Sequence, residues 1–342
     1  MKENVGVRRY QIILPTSKPK SKKVSELPAA DMNLKPAYLK TKPEPLILPD
    51  DVTNIFNHDY LFMSLQNEYK WLNTESKHFL QQIYNSIFNS KMTVAIVTGG
   101  AKGLGKAFCE ALLKRSYKVC FCDVDTDEGE NTQKYFAKQY GNGNVYFQKC
   151  DVRSENDFTV MFNGVLQKYS SIDLIVNNAG IIHETQWRKC IDINLNGVIQ
   201  GSMLAIDHMK QGGGVIVNVS SLSGVLPTLY APVYSATKAA VINFTRSWAM
   251  NPAVNQNSIR MVTMCPAFAD TDIIKDTKEE QFQGKQFVDP FLEKLGIMPL
   301  ERVTEGFLKV LDDQDNNGKS LIVTANVMNY VTFPDPLKPE NK

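Results

Sequence analysis

From residue 92 onward, short apolar runs alternate with longer segments in which apolar residues return every three or four positions. The short runs are TVAIVTGG, KVCFCDV, NVYFQKCDV, DLIVNNAG, GVIVNVSS, RMVTMCPA and KSLIVTA. They are rich in β-branched and aromatic residues, and their apolar positions are consecutive rather than alternating, which predicts strands buried on both faces. The longer segments, such as GKAFCEALLKRS and ENDFTVMFNGVLQKYS, carry the helical period. Strands that alternate with helices imply a doubly wound α/β domain around a parallel, seven-stranded sheet. We expect it to span residues 92–330, with a flexible tail at 331–342.

Upstream the pattern changes. Residues 1 to about 50 are rich in Pro, Lys and Ser and lack periodicity, so they cannot bury enough apolar surface to fold alone. Between Asn54 and Asn89 aromatic and aliphatic residues return at mixed spacings of three and four, which predicts one or two helices. Met92 then stands two residues before the first strand. Two readings of residues 1–91 follow: a partly disordered N-terminal extension, or an upstream segment that is no part of the native protein.

Composition narrows the class. Of the 342 residues, 43% are hydrophobic and 22% charged, as in ordinary globular proteins. The net charge of +2 divides into +4 on residues 1–91 and −2 on the rest. No concentrated basic face points to nucleic acid as a partner. Six cysteines lie mostly in strand-like or helical runs without metal-ligand spacing, and read as small buried hydrophobes in a reducing compartment. No metal is expected. No run of 18 or more apolar residues predicts a membrane span, and the N-terminus has no apolar secretory core; we expect a cytoplasmic protein.

The chemistry gathers at strand ends. TGGAKGLG follows the first strand and opens a helix, with glycines at 99, 100, 103 and 105. Such a turn lets the backbone approach a pyrophosphate whose charge sits at a helix N-terminus. Gly99, Gly103, Leu104 and Gly105 are the candidates there. The second strand ends at Asp123, 18 residues beyond Gly105, near the spacing of a carboxylate that accepts from adenosine ribose hydroxyls. That carboxylate repels a ribose phosphate, so NAD is favoured over NADP, although Lys102 in the glycine turn pulls weakly the other way. Val124 follows Asp123 into the candidate set, and Asp151 and Val152 after the third strand suit an adenine edge. NNAG closes the fourth strand, adding Asn178, Ala179 and Gly180 where doubly wound sheets bind ligands.

In YSATK a phenol, Tyr234, and an ammonium, Lys238, stand four residues apart within a helical pattern. Residues i and i+4 share one helical face, and a cation beside a phenol favours the phenolate. A free tyrosine titrates near pH ~10 and is a poor base at neutral pH. A lone Tyr-x-x-x-Lys describes an amphipathic helix with a solvated lysine. Here it comes with Asn194 in DINLNG, Ser221 in VNVSSLSG, the glycine turn and NNAG.

Together these motifs resemble the short-chain dehydrogenase/reductase family, a Rossmann fold, over roughly residues 92–330. Within it the strings TGGAKGLGKAFCEALL, WRKCIDINLNGVIQGSMLAIDHM, NVSSLSGVLP and PVYSATKAAVINFTRS are most similar to the NAD-dependent 15-hydroxyprostaglandin dehydrogenase-like group. The resemblance implies Tyr234 as catalytic base and Lys238 as the group that lowers its pKa and holds the nicotinamide ribose. It implies Ser221, rather than Ser220, on the substrate oxygen. It implies Asn194 at a helix distortion, with a water that relays protons from Lys238. Tyr230 is set aside as base, since Tyr234 and not a lysine stands four residues beyond it. CPAFADTD resembles the family's Pro-Gly-x-x-x-Thr turn, with Thr271 meeting the carboxamide. Ala267 replaces the glycine, a strained choice if the turn needs positive φ.

The resemblance implies a homodimer, paired through the helices that begin near Asn194 and Tyr234. It places a substrate lid between about Asp270 and Leu300. The mixed aromatic and aliphatic residues there suit an apolar, medium-sized secondary alcohol, or its ketone. The prostaglandin enzymes carry a glutamine three positions before the tyrosine, where this chain has Ala231. Two alternatives stand beside NAD-dependent oxidation: an NADPH-dependent carbonyl reductase, and a catalytically silent nucleotide-binding or structural protein.

Overall fold

A computed structural model describes residues 93–210, 212–271, 281–282 and 288–333. The chain divides between Lys91 and Met92, and the expectations for residues 1–91 lie outside the described residues, as does the tail from residue 334. The elements in chain order are β1 (Val94–Thr98), α1 (Gly103–Lys114), β2 (Lys118–Asp123), α2 (Thr126–Tyr140), β3 (Val145–Lys149), α3 (Glu155–Tyr169) and β4 (Leu174–Asn177). There follow α4 (Trp187–Ile191), a π turn (Asp192–Asn196), α5 (Gly197–Met209), β5 (Gly214–Val219), a 3₁₀ turn (Leu222–Gly224) and α6 (Pro232–Ala249). The last elements are α7 (Pro252–Gln256), β6 (Ile259–Pro266), α8 (Asp289–Leu295), α9 (Leu300–Asp312), β7 (Ser320–Val323) and β8 (Met328–Tyr330).

All seven expected strands form, in the order β3-β2-β1-β4-β5-β6-β7 and in parallel. The sheet is a Rossmann-like α/β sheet, and it gains an eighth strand. β8 pairs antiparallel with β7, Leu321 opposite Tyr330 and Val323 opposite Met328. It lacks an apolar run. A side-chain turn makes it instead: Thr324 Oγ1 accepts from the N–H groups of Asn326 and Val327. The expected boundary at residue 330 also moves outward. Val331 N–H donates to Ser320 O at 2.8 Å, and the Arg246 guanidinium lies 3.9 Å from the Phe333 ring centroid.

Consecutive apolar residues are explained by two cores. Ala95 and Val97 point to one side of β1, joining Phe108, Leu112, Phe121 and Phe307. Val94 and Ile96 point to the other, joining Phe158, Met161, Phe162 and Met261. The central strands therefore bury both faces, worth roughly 1.5–3 kcal/mol per large apolar side chain, while the edge strands β3 and β8 are only partly covered. All six cysteines are buried and free. The strand order reverses between β1 and β4, so their C-terminal ends open a crevice. Among the described residues no helix is long and apolar enough to cross a membrane.

Candidate active site

That crevice is the mouth of a cavity of about 450 Å³. Its floor is the glycine turn. Gly99 takes φ +63° and Gly103 φ +56°, both left-handed, and a Cβ on Gly99 would come within 2.9 Å of the Ala179 backbone. Asn178 Nδ2 donates to the carbonyls of Thr98 and Gly99 at 3.0 and 3.1 Å, tying NNAG to the turn. Gly99, Gly103, Leu104, Asp123, Val124, Asp151, Val152, Asn178, Ala179, Gly180 and Thr271 all line the cavity. Gly105 does not. It sits beneath the turn, where a Cβ would stand 2.0 Å from Gly99 O, so its part is close helix-to-strand packing.

Asp123 is held open at the cavity edge, its Oδ2 accepting from Ala101 N–H and its Oδ1 from Asp125 N–H, each at 3.2 Å. Lys102 also lines the cavity, and its ammonium is 3.6 Å from Asp125 Oδ2. Asp151 pairs with Arg153, whose guanidinium holds the Asp151 carboxyl below its usual range.

The middle wall carries Ser221, Tyr234 and Lys238. α6 sets the last two on one face, as the i, i+4 spacing predicts. The ammonium also has a backbone partner. Lys238 Nζ donates to Val219 O at 2.8 Å and lies 5.7 Å from the Tyr234 ring centroid. Burial pushes the Tyr234 phenol well above its usual range, opposed by the facing Ser221 hydroxyl. Lys238 is only 3% exposed. Burial lowers its ammonium to about 8, against the opposing pull of the Cys190 and Cys265 thiols.

The sign of that shift gives a stability prediction. Between pH about 8 and 10.5 the folded state has shed the Lys238 proton while the unfolded state keeps it, so this group's contribution to stability rises with pH. Lys238→Met should therefore gain stability over the parent at pH 7, on the order of 3 kcal/mol. The advantage should vanish toward pH 10.5, as read by urea denaturation without dinucleotide.

Asn194 stands behind the wall rather than in it, fully buried. The expected helix distortion is present, since Asn194 is the centre of the π turn Asp192–Asn196. Its Oδ1 accepts from Ile181 N–H and its Nδ2 donates to Ile181 O, both at 2.8 Å. A Cβ on Gly180 would lie 3.3 Å from Asn194 Oδ1 and 3.4 Å from Lys238 Nζ, so both side chains pack close to the last residue of NNAG. Ser220 Oγ donates to Lys238 O at 2.8 Å and braces the helix. Ala267 carries no strain, because the left-handed non-glycine residues among those described are Ser116, Ser170 and Ser258.

Beyond Tyr234 the lining turns apolar, with Ile182, Leu222, Tyr230, Phe268, Phe282 and Leu292. Of the expected lid, residues 272–280 and 283–287 lie outside those described. Tyr230, set aside as a base, is 4% exposed, its ring 6.4 Å from Phe268 and 5.8 Å from Phe282. Ala231 is fully buried in a small cluster with Ile182, Tyr230 and Val288. Sequence reasoning missed Tyr230 as a cavity residue and missed Glu184 altogether, a buried carboxylate that accepts from the N–H groups of Val233 and Tyr234.

A nucleotide-sized crevice at the sheet's switch point with a Ser-Tyr-Lys wall describes an oxidoreductase of the doubly wound class. The family model for short chain dehydrogenase matches residues 93–281, and the chain belongs to that family. It is 34% identical over 258 residues to the 15-hydroxyprostaglandin dehydrogenase [NAD(+)] of Bos taurus, covering 72% of this chain and 97% of that protein. The Homo sapiens enzyme of the same name is 33% identical over 242 residues, covering 68% and 91%. The NADP-dependent (R)-specific alcohol dehydrogenase of Lentilactobacillus kefiri is 33% identical over 198 residues, covering 54% and 77%. Among solved structures, the 3-ketoacyl-(acyl-carrier-protein) reductase of Brucella melitensis superposes with a TM-score of 0.59 at 24% identity, over 68% of this chain and 97% of that one.

Proposed function

We propose that this protein oxidises an apolar, medium-sized secondary alcohol to its ketone with NAD, in the manner of the 15-hydroxyprostaglandin dehydrogenases. The observation that carries the reading is the convergence of Ser221, Tyr234 and Lys238 on one cavity with a glycine floor at one end and aromatic walls at the other. The residues fit a dinucleotide. Gly99 and Gly103 leave backbone exposed at the start of α1, where phosphate is favoured. Asp123 offers its carboxylate at the cavity edge, and Lys102 is engaged by Asp125, which favours NAD over NADP. Asp151 and Val152 would flank the adenine; Lys238, Thr271 and NNAG would hold the nicotinamide half. When bound, the nicotinamide supplies the acceptor for a hydride from the carbinol carbon.

The rest is done by the chain. Ser221 would donate to the substrate oxygen and stabilise charge developing there. Tyr234 would take the hydroxyl proton. Burial makes Tyr234 a weaker acid than free tyrosine, so reaching the phenolate near neutral pH depends on Ser221 and the buried Lys238 charge beside it. Asn194 keeps the wall in place through the π turn. The aromatic end excludes water and selects an apolar substituent on the carbinol carbon.

The test is reduced-nicotinamide absorbance with the full chain, NAD or NADP, and hydroxyprostaglandin, fatty and steroid alcohols. Turnover with NAD at least tenfold above NADP is expected, since a carboxylate facing a 2′-phosphate should cost more than about 1.4 kcal/mol. Preference for NADP would instead support the reductase reading.

A further inference from the structure

Helix α6, which carries Tyr234 and Lys238, begins at Pro232 behind Ala231, and its N-cap residue makes no side-chain cap. The first N–H groups of a helix need a partner from elsewhere. Those of Val233 and Tyr234 find one 50 residues back: Glu184 Oε2 accepts from Val233 and Oε1 from Tyr234, each at 2.9 Å. The side chain is 4% exposed, and its charge faces the positive end of the helix.

Glu184 stands on a segment tied at both ends. Ile181, three residues earlier, exchanges two hydrogen bonds with Asn194. Glu184 N–H donates to Gln281 O at 2.9 Å, and Gln281 Nε2 donates to Ile182 O at 3.3 Å. Gln281 adjoins Phe282, which lines the substrate end of the cavity. One short segment thus touches the π turn, the first turn of the catalytic helix and the rim of the substrate end.

We propose that Glu184 is a positioning residue: its carboxylate fixes the backbone of Tyr234 against the cavity, and its segment couples that position to the substrate rim at Gln281. This rests on Tyr234 as the proton acceptor. A carboxylate with two N–H partners on adjacent residues fixes both the height and the rotation of the helix start. A displacement of about 1 Å at a reacting group can cost about 10²-fold in rate. A cap that served stability alone would cost about 1 kcal/mol on removal and leave turnover intact.

Full-length Glu184→Gln and Glu184→Ala, compared with the parent by amide exchange and by steady-state kinetics, separate these roles. Gln keeps the shape and one acceptor, so it guards against a failure of Ala to fold. We expect the Val233 and Tyr234 amides to exchange at least about tenfold faster, with the rest of α6 unchanged. We expect kcat to fall about 10- to 100-fold in Ala and less in Gln, with KM and the NAD dissociation constant within about twofold. Faster exchange with unchanged kcat overturns the proposal in favour of a stability cap, and unchanged exchange overturns the clamp itself. Absence of turnover in the parent overturns the functional reading instead, and is told apart because amide exchange still reports the clamp.

Discussion

Tyr234→Phe should lose about 10²- to 10⁴-fold in kcat, the range of a positioned acid–base group, while NAD binds as before. The phenol lines the cavity beside Ser221, so phenylalanine leaves the ring packing in place and deletes one oxygen. Lys238 keeps its bond to Val219 O, and the glycine floor lies in another element, so the dinucleotide site is untouched. The loss should appear in kcat and kcat/KM alike, the mark of an interaction made in the transition state. Binding is read by quenching of protein fluorescence with NADH, turnover by reduced-nicotinamide absorbance. A variant that keeps more than about a tenth of the parent rate would remove Tyr234 from proton transfer. A variant that loses NADH binding in step with turnover would show the ring, not the oxygen, to be the requirement.

The sequence made legible what depends on period and local spacing. The central strands were readable because they bury both faces, leaving unbroken apolar runs, and the edge strand β3 from its β-branched and aromatic start; β8 was not, because a threonine-centred turn rather than burial places it. The phenol and ammonium of α6 were readable as one face from their spacing. The direction in which a long side chain then bends is a tertiary matter, and Lys238 bends to β5. The helix distortion at Asn194 came from resemblance rather than pattern, since DINLN continues an ordinary helical period. Glu184 left no signal, because its partners are backbone N–H groups 50 residues away, which carry no side-chain signature. The strain anticipated at Ala267 does not arise: its backbone stays out of the left-handed region, and its N–H donates to Val323 O at 2.8 Å.

Gly105 shows how a residue outside the cavity can still govern it, and substitution there carries the second large effect. In Gly105→Ala the added methyl would stand 2.0 Å from Gly99 O, 2.8 Å from Gly99 C and 2.7 Å from Asn178 Nδ2. Two of these atoms are backbone, and the third, at the end of the Asn178 side chain, is tied into the same turn. Gly99 is held at φ +63°, and Asn178 is held by two carbonyls of the turn, so the methyl fits only if the turn lifts off α1. Overpacking of this kind costs roughly 1–3 kcal/mol and sometimes more, and the movement falls on the segment that would meet the pyrophosphate. We therefore expect NAD affinity to fall by about 100-fold or more, equivalent to about 2.7 kcal/mol, with the melting temperature also lowered. Gly143→Ala is the control, since its added methyl meets nothing within 4 Å; that variant should match the parent in both measurements. Calorimetric titration of NAD into the two variants decides the matter: equal affinities would mean that the turn yields without cost, and that the glycine serves helix packing and not the dinucleotide.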